Sequence, residues 1–163
     1  MVVPAVMVAG IDQATKAWAL AALGDGRTVP VLGRWLQLHL TANSGAAFSF
    51  GAGATWVFTI LTGVVIAVVW VALRRVTSRA WVAAGVMVLG GGAGNLVDRL
   101  VRPPGVGVGH VVDFIAYGNW FIGNVADIAL VAAVGLAIVL LAVGVHPSRG
   151  EAPTSGVSGD EAE

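Results

Sequence analysis

Residues 122–143 read IGNVADIALVAAVGLAIVLLAV, an apolar run with an asparagine and an aspartate close to its start. About 20 consecutive apolar residues in a helix cross the hydrocarbon core of a bilayer. A carboxylate beside such a run costs roughly 3 kcal/mol on insertion scales, so it persists mainly where it is paired, hydrated or functional. The stretch therefore predicts a transmembrane helix that carries Asp127 near one end.

Three more apolar runs of similar length occupy residues 2–23, 54–73 and 80–100. The whole chain of 163 residues is 57% hydrophobic and 11% charged, which is far more apolar than a soluble domain of this size. The sequence predicts an all-α integral membrane protein with four transmembrane helices.

Arginines in the short connection at residues 74–79, RRVTSR, predict the orientation of these helices. Basic connections stay in the cytoplasm, which puts both termini inside and the longer connections at residues 24–53 and 101–121 outside. Within the first outer connection, residues 28–33 and 35–40 alternate between apolar and polar. This alternation predicts a small extracytoplasmic β-rich element.

The ends of the chain and its composition limit the function further. Residues 1–10 lack the basic region of a signal peptide, so we expect a retained first helix. Residues 1–145 form the predicted membrane domain, and the polar segment 146–163 is predicted to be disordered without a catalytic role. A net charge of zero argues against nucleic acid, and the absence of cysteine excludes thiolate catalysis.

Asp113 and Asp127 are separated by a turn-prone segment and could face each other across a cleft. Two carboxyls within a few ångströms share a proton, which supplies one acid and one base. Alternatively, either carboxylate caps a helix or neutralises Arg99 or Arg102. Asp127 lies too far into its apolar run to be an easy cap.

Histidine and aspartate together can also bind a metal ion. His39 and His110 lack the helical spacing of such a site, and we expect no metal or cofactor.

Other polar residues lie in or beside the apolar runs. Asp12 and Lys16 are four positions apart and predict a structural ion pair on the first helix. Asn43 precedes the second run, where turn chemistry is the alternative to a functional role.

The third run ends in a glycine-rich segment followed by Asn95, Asp98 and Arg99, which share one helix face. The glycines favour close helix packing over a nucleotide-binding loop. Arg99 either binds a carboxylate or peptide carbonyl, or extends to the membrane surface.

Five motifs in order resemble the lipoprotein signal peptidases, also called signal peptidase II. They are DQATK at 12–16, NSGAAF at 43–48, GGAGNLVDR at 91–99, VVDF at 111–114 and NVAD at 124–127. The resemblance covers residues 11–143 and leaves only the tail outside.

The resemblance implies a multi-pass aspartic endopeptidase of the bacterial inner membrane, with its active site near the outer leaflet. Such enzymes cleave diacylglyceryl-modified prolipoproteins just before the lipid-bearing cysteine. The implied partners are these prolipoproteins and membrane lipids, and we expect a monomer. The implied catalytic residues are Asp113 and Asp127; the substrate-binding or site-orienting residues are Asn43, Asn95, Arg99 and Asn124; the supporting residues are Asp12, Lys16 and Asp98.

The chain departs from the family pattern at Gly123, where an aromatic residue is usual, and at Ile128, where a small polar residue is frequent. Only eleven residues precede Asp12, so a start further upstream stays open. A small transporter or proton-relay protein is the alternative function, because intramembrane charges also mark ion pathways. A structural assembly factor is the third interpretation.

Overall fold

Four helices and four strands make up the computed structural model, which describes residues 1–45 and 55–148. The elements are α1 Val2–Leu23, β1 Thr28–Leu32, β2 Leu36–Asn43, α2 Thr55–Leu73, α3 Arg79–Val101, β3 Val111–Tyr117, β4 Phe121–Gly123 and α4 Val125–Ala142.

Within these described ranges, α2, α3 and α4 are long and apolar enough to cross a membrane. The helix α1 has 22 residues, but it contains Asp12, Gln13 and Lys16 and does not join that group. The predicted helical runs agree with α1, α2 and α3 to within one residue at each described end. The fourth helix begins three residues later than predicted, because residues 121–123 pair as a strand.

The strands form one antiparallel sheet in the order β1-β2-β3-β4. The prediction of strands in the first outer connection is confirmed by β1 and β2. The predicted extent of the sheet was wrong, since β3 and β4 come from the second connection. Strand β3 is almost wholly buried, so it lacks the alternation that identifies a half-buried strand. In the register of β2 with β3, Thr41 pairs with Asp113.

Glycines allow α3 to pack closely against α1 and α4. A Cβ atom on Gly90 would lie 2.5 Å from Val8 Cβ, and one on Gly91 would lie 2.7 Å from the Ala126 carbonyl oxygen. Small residues at such crossings let helix backbones approach each other. The glycine-rich segment is therefore a helix-packing surface.

We expect Gly90→Ala to lower the free energy of unfolding by about 1–3 kcal/mol, because the added methyl group overpacks the α1–α3 contact. Gly135→Ala on α4 is the matched control, since nothing lies within 4 Å of a Cβ there. The control should be neutral or stabilising by up to about 1 kcal/mol. Thermal unfolding in detergent measures both, and equal stability of the two variants would contradict the packing argument.

Candidate active site

Asp113 is held at the buried face of β3 by two amide donors. Asn124 donates through Nδ2 to Asp113 Oδ1 at 2.6 Å, and Asn43 donates through Nδ2 to Asp113 Oδ2 at 2.8 Å. Asp113 is only 1% exposed. Burial raises its pKa from an ordinary value near 3.8 to about 6; the negative charge of Asp127 acts in the same direction, while both amide donors lower it.

Asp127 lies in the first turn of α4. The Asn124 backbone N–H donates to Asp127 Oδ2 at 3.1 Å, and the Asp127 backbone N–H donates to Asn124 Oδ1 at 3.0 Å. This reciprocal pair is a capping box. The N-cap of α4 is Asn124, as expected from the position of Asp127 within the apolar run; Asp127 takes part in the cap as its third helical residue, because α4 begins at Val125. Asn95 donates to the other carboxylate oxygen at 2.9 Å.

Asn124 contacts both aspartates and is itself fully buried. Its Nδ2 also approaches Asn95 Oδ1 at 3.2 Å. The structure therefore brings together Asp113, Asp127, Asn43, Asn95 and Asn124, which all belong to the predicted set. Three amides from β2, α3 and the N-cap of α4 hold the two carboxyl groups in one cluster.

A second cluster, of buried charges, lies behind the first. Lys16 Nζ is 2.7 Å from Asp12 Oδ2 and 2.8 Å from Asp98 Oδ2, and all three side chains are 0% exposed. The predicted pair between Asp12 and Lys16 is thus present, with Asp98 as an additional partner. Lys16 also donates to Asn95 Oδ1 at 2.9 Å, which connects the two clusters.

Each acid of this second cluster also binds the backbone next to one aspartate of the first. Asp12 Oδ1 accepts the Ala126 N–H at 2.9 Å, immediately before Asp127. Asp98 Oδ2 accepts the Val112 N–H at 3.1 Å, immediately before Asp113. Asp12 and Asp98 thereby hold in place the two backbone segments that carry Asp127 and Asp113.

Two residues outside the predicted set complete the second cluster. Arg102 donates through Nε to Asp98 Oδ1 at 2.6 Å, and Gln13 donates to the same oxygen at 3.1 Å. The four-residue spacing of Asp98 and Arg102 was the available signal, since such residues are neighbours on a helix. Sequence reasoning instead offered Arg102 as a partner for the two aspartates of the first cluster.

Arg99 points into the protein and is only 8% exposed. It donates to the Ser44 carbonyl oxygen at 3.5 Å, and its guanidinium carbon lies 5.6 Å from the centre of the Phe58 ring. Of the two interpretations, the contact with a peptide carbonyl is therefore the one observed. Residues 46–48, which complete the motif that contains Ser44, lie outside the described residues.

Among residues 1–45 and 55–148, no group of three or more histidine, cysteine, aspartate or glutamate side chains is arranged to hold a metal ion. His39 pairs with Thr28 across the first hairpin, with 3.0 Å between Nδ1 and Oγ1. The side chains that the described site brings together are two carboxyl groups and the amides that donate to them.

Comparison with known proteins identifies the family that this chain resembles over most of its length. Residues 4–143 match the family model described as signal peptidase (SPase) II. The lipoprotein signal peptidase of Leifsonia xyli subsp. xyli is 46% identical over 147 residues, which are 89% of this chain and 68% of the relative. That of Mycobacterium avium is 45% identical over 137 residues, which are 83% and 75% of the two chains.

Two solved structures are similar to the whole fold. A bacterial membrane enzyme solved by the in meso method at 2.3 Å resolution has a TM-score of 0.73 at 26% identity, and the match covers 93% of this chain and 92% of the other. A second, at 1.9 Å resolution, has a TM-score of 0.75 at 27% identity over 86% and 90% of the two chains. Because the family model and the relatives match most of its length, the chain belongs to the signal peptidase II family of membrane peptidases.

Proposed function

We propose that this protein is an aspartic endopeptidase that removes the signal peptide from diacylglyceryl-modified bacterial prolipoproteins, cutting just before the lipid-bearing cysteine. The observation that carries the aspartic mechanism is the contact of Asn124 with both Asp113 and Asp127. Membership of the signal peptidase II family supports the prolipoprotein substrate.

In the proposed mechanism, an ionised carboxylate takes a proton from a water molecule, which attacks the scissile carbonyl carbon. The other carboxyl, protonated, polarises the carbonyl oxygen and later protonates the leaving amine. The raised pKa of Asp113, about 6, favours this residue as the holder of the shared proton. Asn43, Asn95 and Asn124 keep the carboxyl oxygens oriented, and Arg99 holds the segment at Ser44 beside the site.

The proposed topology has four membrane-crossing helices, with both termini in the cytoplasm of a bacterial cell. Arg74 and Arg75 lie between α2 and α3, Arg79 is the first residue of α3, and these three arginines support a cytoplasmic position for that end. The pairing of Lys16 with Asp12 and Asp98 allows α1 to be the fourth crossing helix despite its charges. The catalytic cluster then lies near the outer leaflet, and the working unit is a monomer.

A cleavage assay with the purified protein in lipid vesicles tests this function. The substrates are one prolipoprotein carrying diacylglyceryl-cysteine and the same precursor without the lipid, and mass spectrometry identifies the products. We expect a cut before the modified cysteine and none in the unmodified precursor. Equal cleavage of both would contradict lipid specificity. Ion flux across the vesicles without any cleavage would favour a transporter.

The pH dependence of kcat/KM reports the shared proton. Above pH 6, Asp113 loses its proton and can no longer act as the acid for the leaving amine. We therefore expect a descending limb in kcat/KM as the pH rises through about 6.

Asn43→Ala should move this limb to higher pH, because the lost amide donor stabilised the charged form of Asp113. The control is Asn119→Ala in the exposed β3–β4 turn, which should leave the limb in place. A limb that stays in place or moves to lower pH in the Asn43 variant would refute the assignment of the proton.

A further inference from the structure

A cavity of about 370 Å³ lies between the β3–β4 hairpin and the first two turns of α4. We call this cavity the α4 groove. Its wall consists of Tyr117, Phe121, Asp127, Ile128, Val131 and Ala132. Asp127 is the only charged residue among them, so the groove is an apolar surface that reaches the proposed catalytic carboxyl.

Aromatic rings form the hairpin side of the α4 groove. Tyr117 and Phe121 stack with their centroids 4.6 Å apart and their planes at 17°. A Cβ atom on Gly123 would lie 3.3 Å from the Phe121 ring and 3.0 Å from Asp127 Oδ2. Because Gly123 has no side chain, the Phe121 ring packs over the backbone next to Asp127 and extends the apolar wall to that carboxyl.

The opposite side of the α4 groove continues onto the outer surface of α4. Val131 is 70% exposed and Ile128 is 48% exposed. These positions are three apart, so they share one face of the helix. In a membrane this face contacts hydrocarbon, and the groove therefore leads laterally from the lipid to Asp127.

We propose that the α4 groove holds one acyl chain of the substrate's diacylglyceryl group, so that the lipid itself presents the scissile bond to the catalytic pair. This proposal rests on the proposed function. The occupant has to be apolar and attached to a molecule that reacts at Asp127. A phospholipid headgroup fits poorly, because Asp127 repels phosphate and no cation is among the described residues that line the groove. A diacylglyceryl thioether is uncharged and meets both conditions.

Filling the α4 groove with Val131→Trp tests the proposal. Ile138→Trp is the matched control, since Ile138 is 61% exposed on the same helix but does not line the groove. The substrates are two prolipoprotein peptides that differ only in carrying dipalmitoylglyceryl or diacetylglyceryl on the cysteine.

We expect Val131→Trp to raise KM for the dipalmitoyl peptide by about tenfold, which corresponds to the lost burial of about two methylene groups. KM for the diacetyl peptide should stay unchanged, and the control should change neither value. An equal effect on both peptides, no effect on either, or the same effect in the control would overturn the acyl-chain assignment.

Photocrosslinking supplies a readout that does not require cleavage. A dipalmitoyl peptide with a diazirine near the glycerol end of one acyl chain should label residues 128–132 of the wild-type protein. Labelling confined to other helices overturns the groove assignment even if the peptide is cleaved. Labelling at 128–132 without cleavage of either peptide supports the groove and overturns the peptidase function.

Discussion

Replacement of either Asp113 or Asp127 by asparagine should reduce the cleavage of a diacylglyceryl prolipoprotein by roughly 10³-fold, within the range of general acid–base contributions. An amide side chain can neither accept the proton of the attacking water nor donate one to the leaving amine. The measurement is processing of the precursor in cells that lack the native activity, at matched membrane levels of the variants.

Asp25→Asn is the control for this pair of substitutions, because Asp25 is an exposed carboxylate in an ion pair with Arg27. It should leave processing unchanged. Continued processing by either the Asp113 or the Asp127 variant would contradict the assignment of these residues as the catalytic pair and would favour a structural assembly factor.

The free energy of unfolding of Asp113→Asn should depend on pH differently from that of the wild type. This difference separates the effect of the substitution on folding from its effect on catalysis. The raised pKa of Asp113 means that the folded protein binds this proton more tightly than the unfolded chain does. In the wild type, the contribution of this group to stability is therefore greatest below pH 4 and is lost as the pH rises towards about 6.

Asp113→Asn cannot lose this contribution. Its free energy of unfolding relative to the wild type should therefore rise between pH 4 and pH 7, by up to about 3 kcal/mol. A constant difference across that range would show that the carboxyl is not destabilised by burial in the folded protein.

Lys16→Met should produce the largest loss of stability. Lys16 is the cation shared by Asp12 and Asp98, and all three side chains are 0% exposed. Removing one partner from a buried ion pair costs about 3–5 kcal/mol, because an uncompensated charge is left behind. Total stabilities of about 5–15 kcal/mol make that a large fraction. Unfolding in detergent, followed by circular dichroism, measures the change.

A double variant separates the loss of charge balance from simple loss of packing. Lys16→Met with Asp12→Asn removes the carboxylate that Lys16→Met leaves without a cation, while Asp98 keeps its contact with Arg102. The double variant should therefore recover at least about 1 kcal/mol relative to Lys16→Met alone.

Arg27→Met is the matched exposed control and should change stability by no more than about 0.5 kcal/mol. If Lys16→Met unfolded like the wild type, or if Asp12→Asn made it worse, the charge-balance account would be wrong.

Much of the candidate site could be anticipated from residue types. The pair Asp12 and Lys16 follows from helical spacing, and the ordered motifs identified the asparagines and aspartates that the structure brings together. Capping by Asp127 was only an alternative to catalysis, and the reciprocal capping box with Asn124 was not predicted, because the start of the apolar run belongs to β4 and α4 begins at Val125. The hydrogen bonds from Arg102 and Gln13 to Asp98 were not predicted, because Asp98 was considered only with the residues nearest to it on α3.

The sequence by itself determined the four helices, because the backbone of a long apolar run satisfies its hydrogen bonds internally when it forms a helix, whatever its neighbours are. Only the tertiary structure decided that β3 and β4 join the sheet and that Asn124 contacts both aspartates. These contacts depend on how α1, α3 and α4 cross and on the register of β2 with β3. Local periodicity does not contain that information, since it describes one element at a time, whereas a hydrogen bond between distant segments depends on the packing of several.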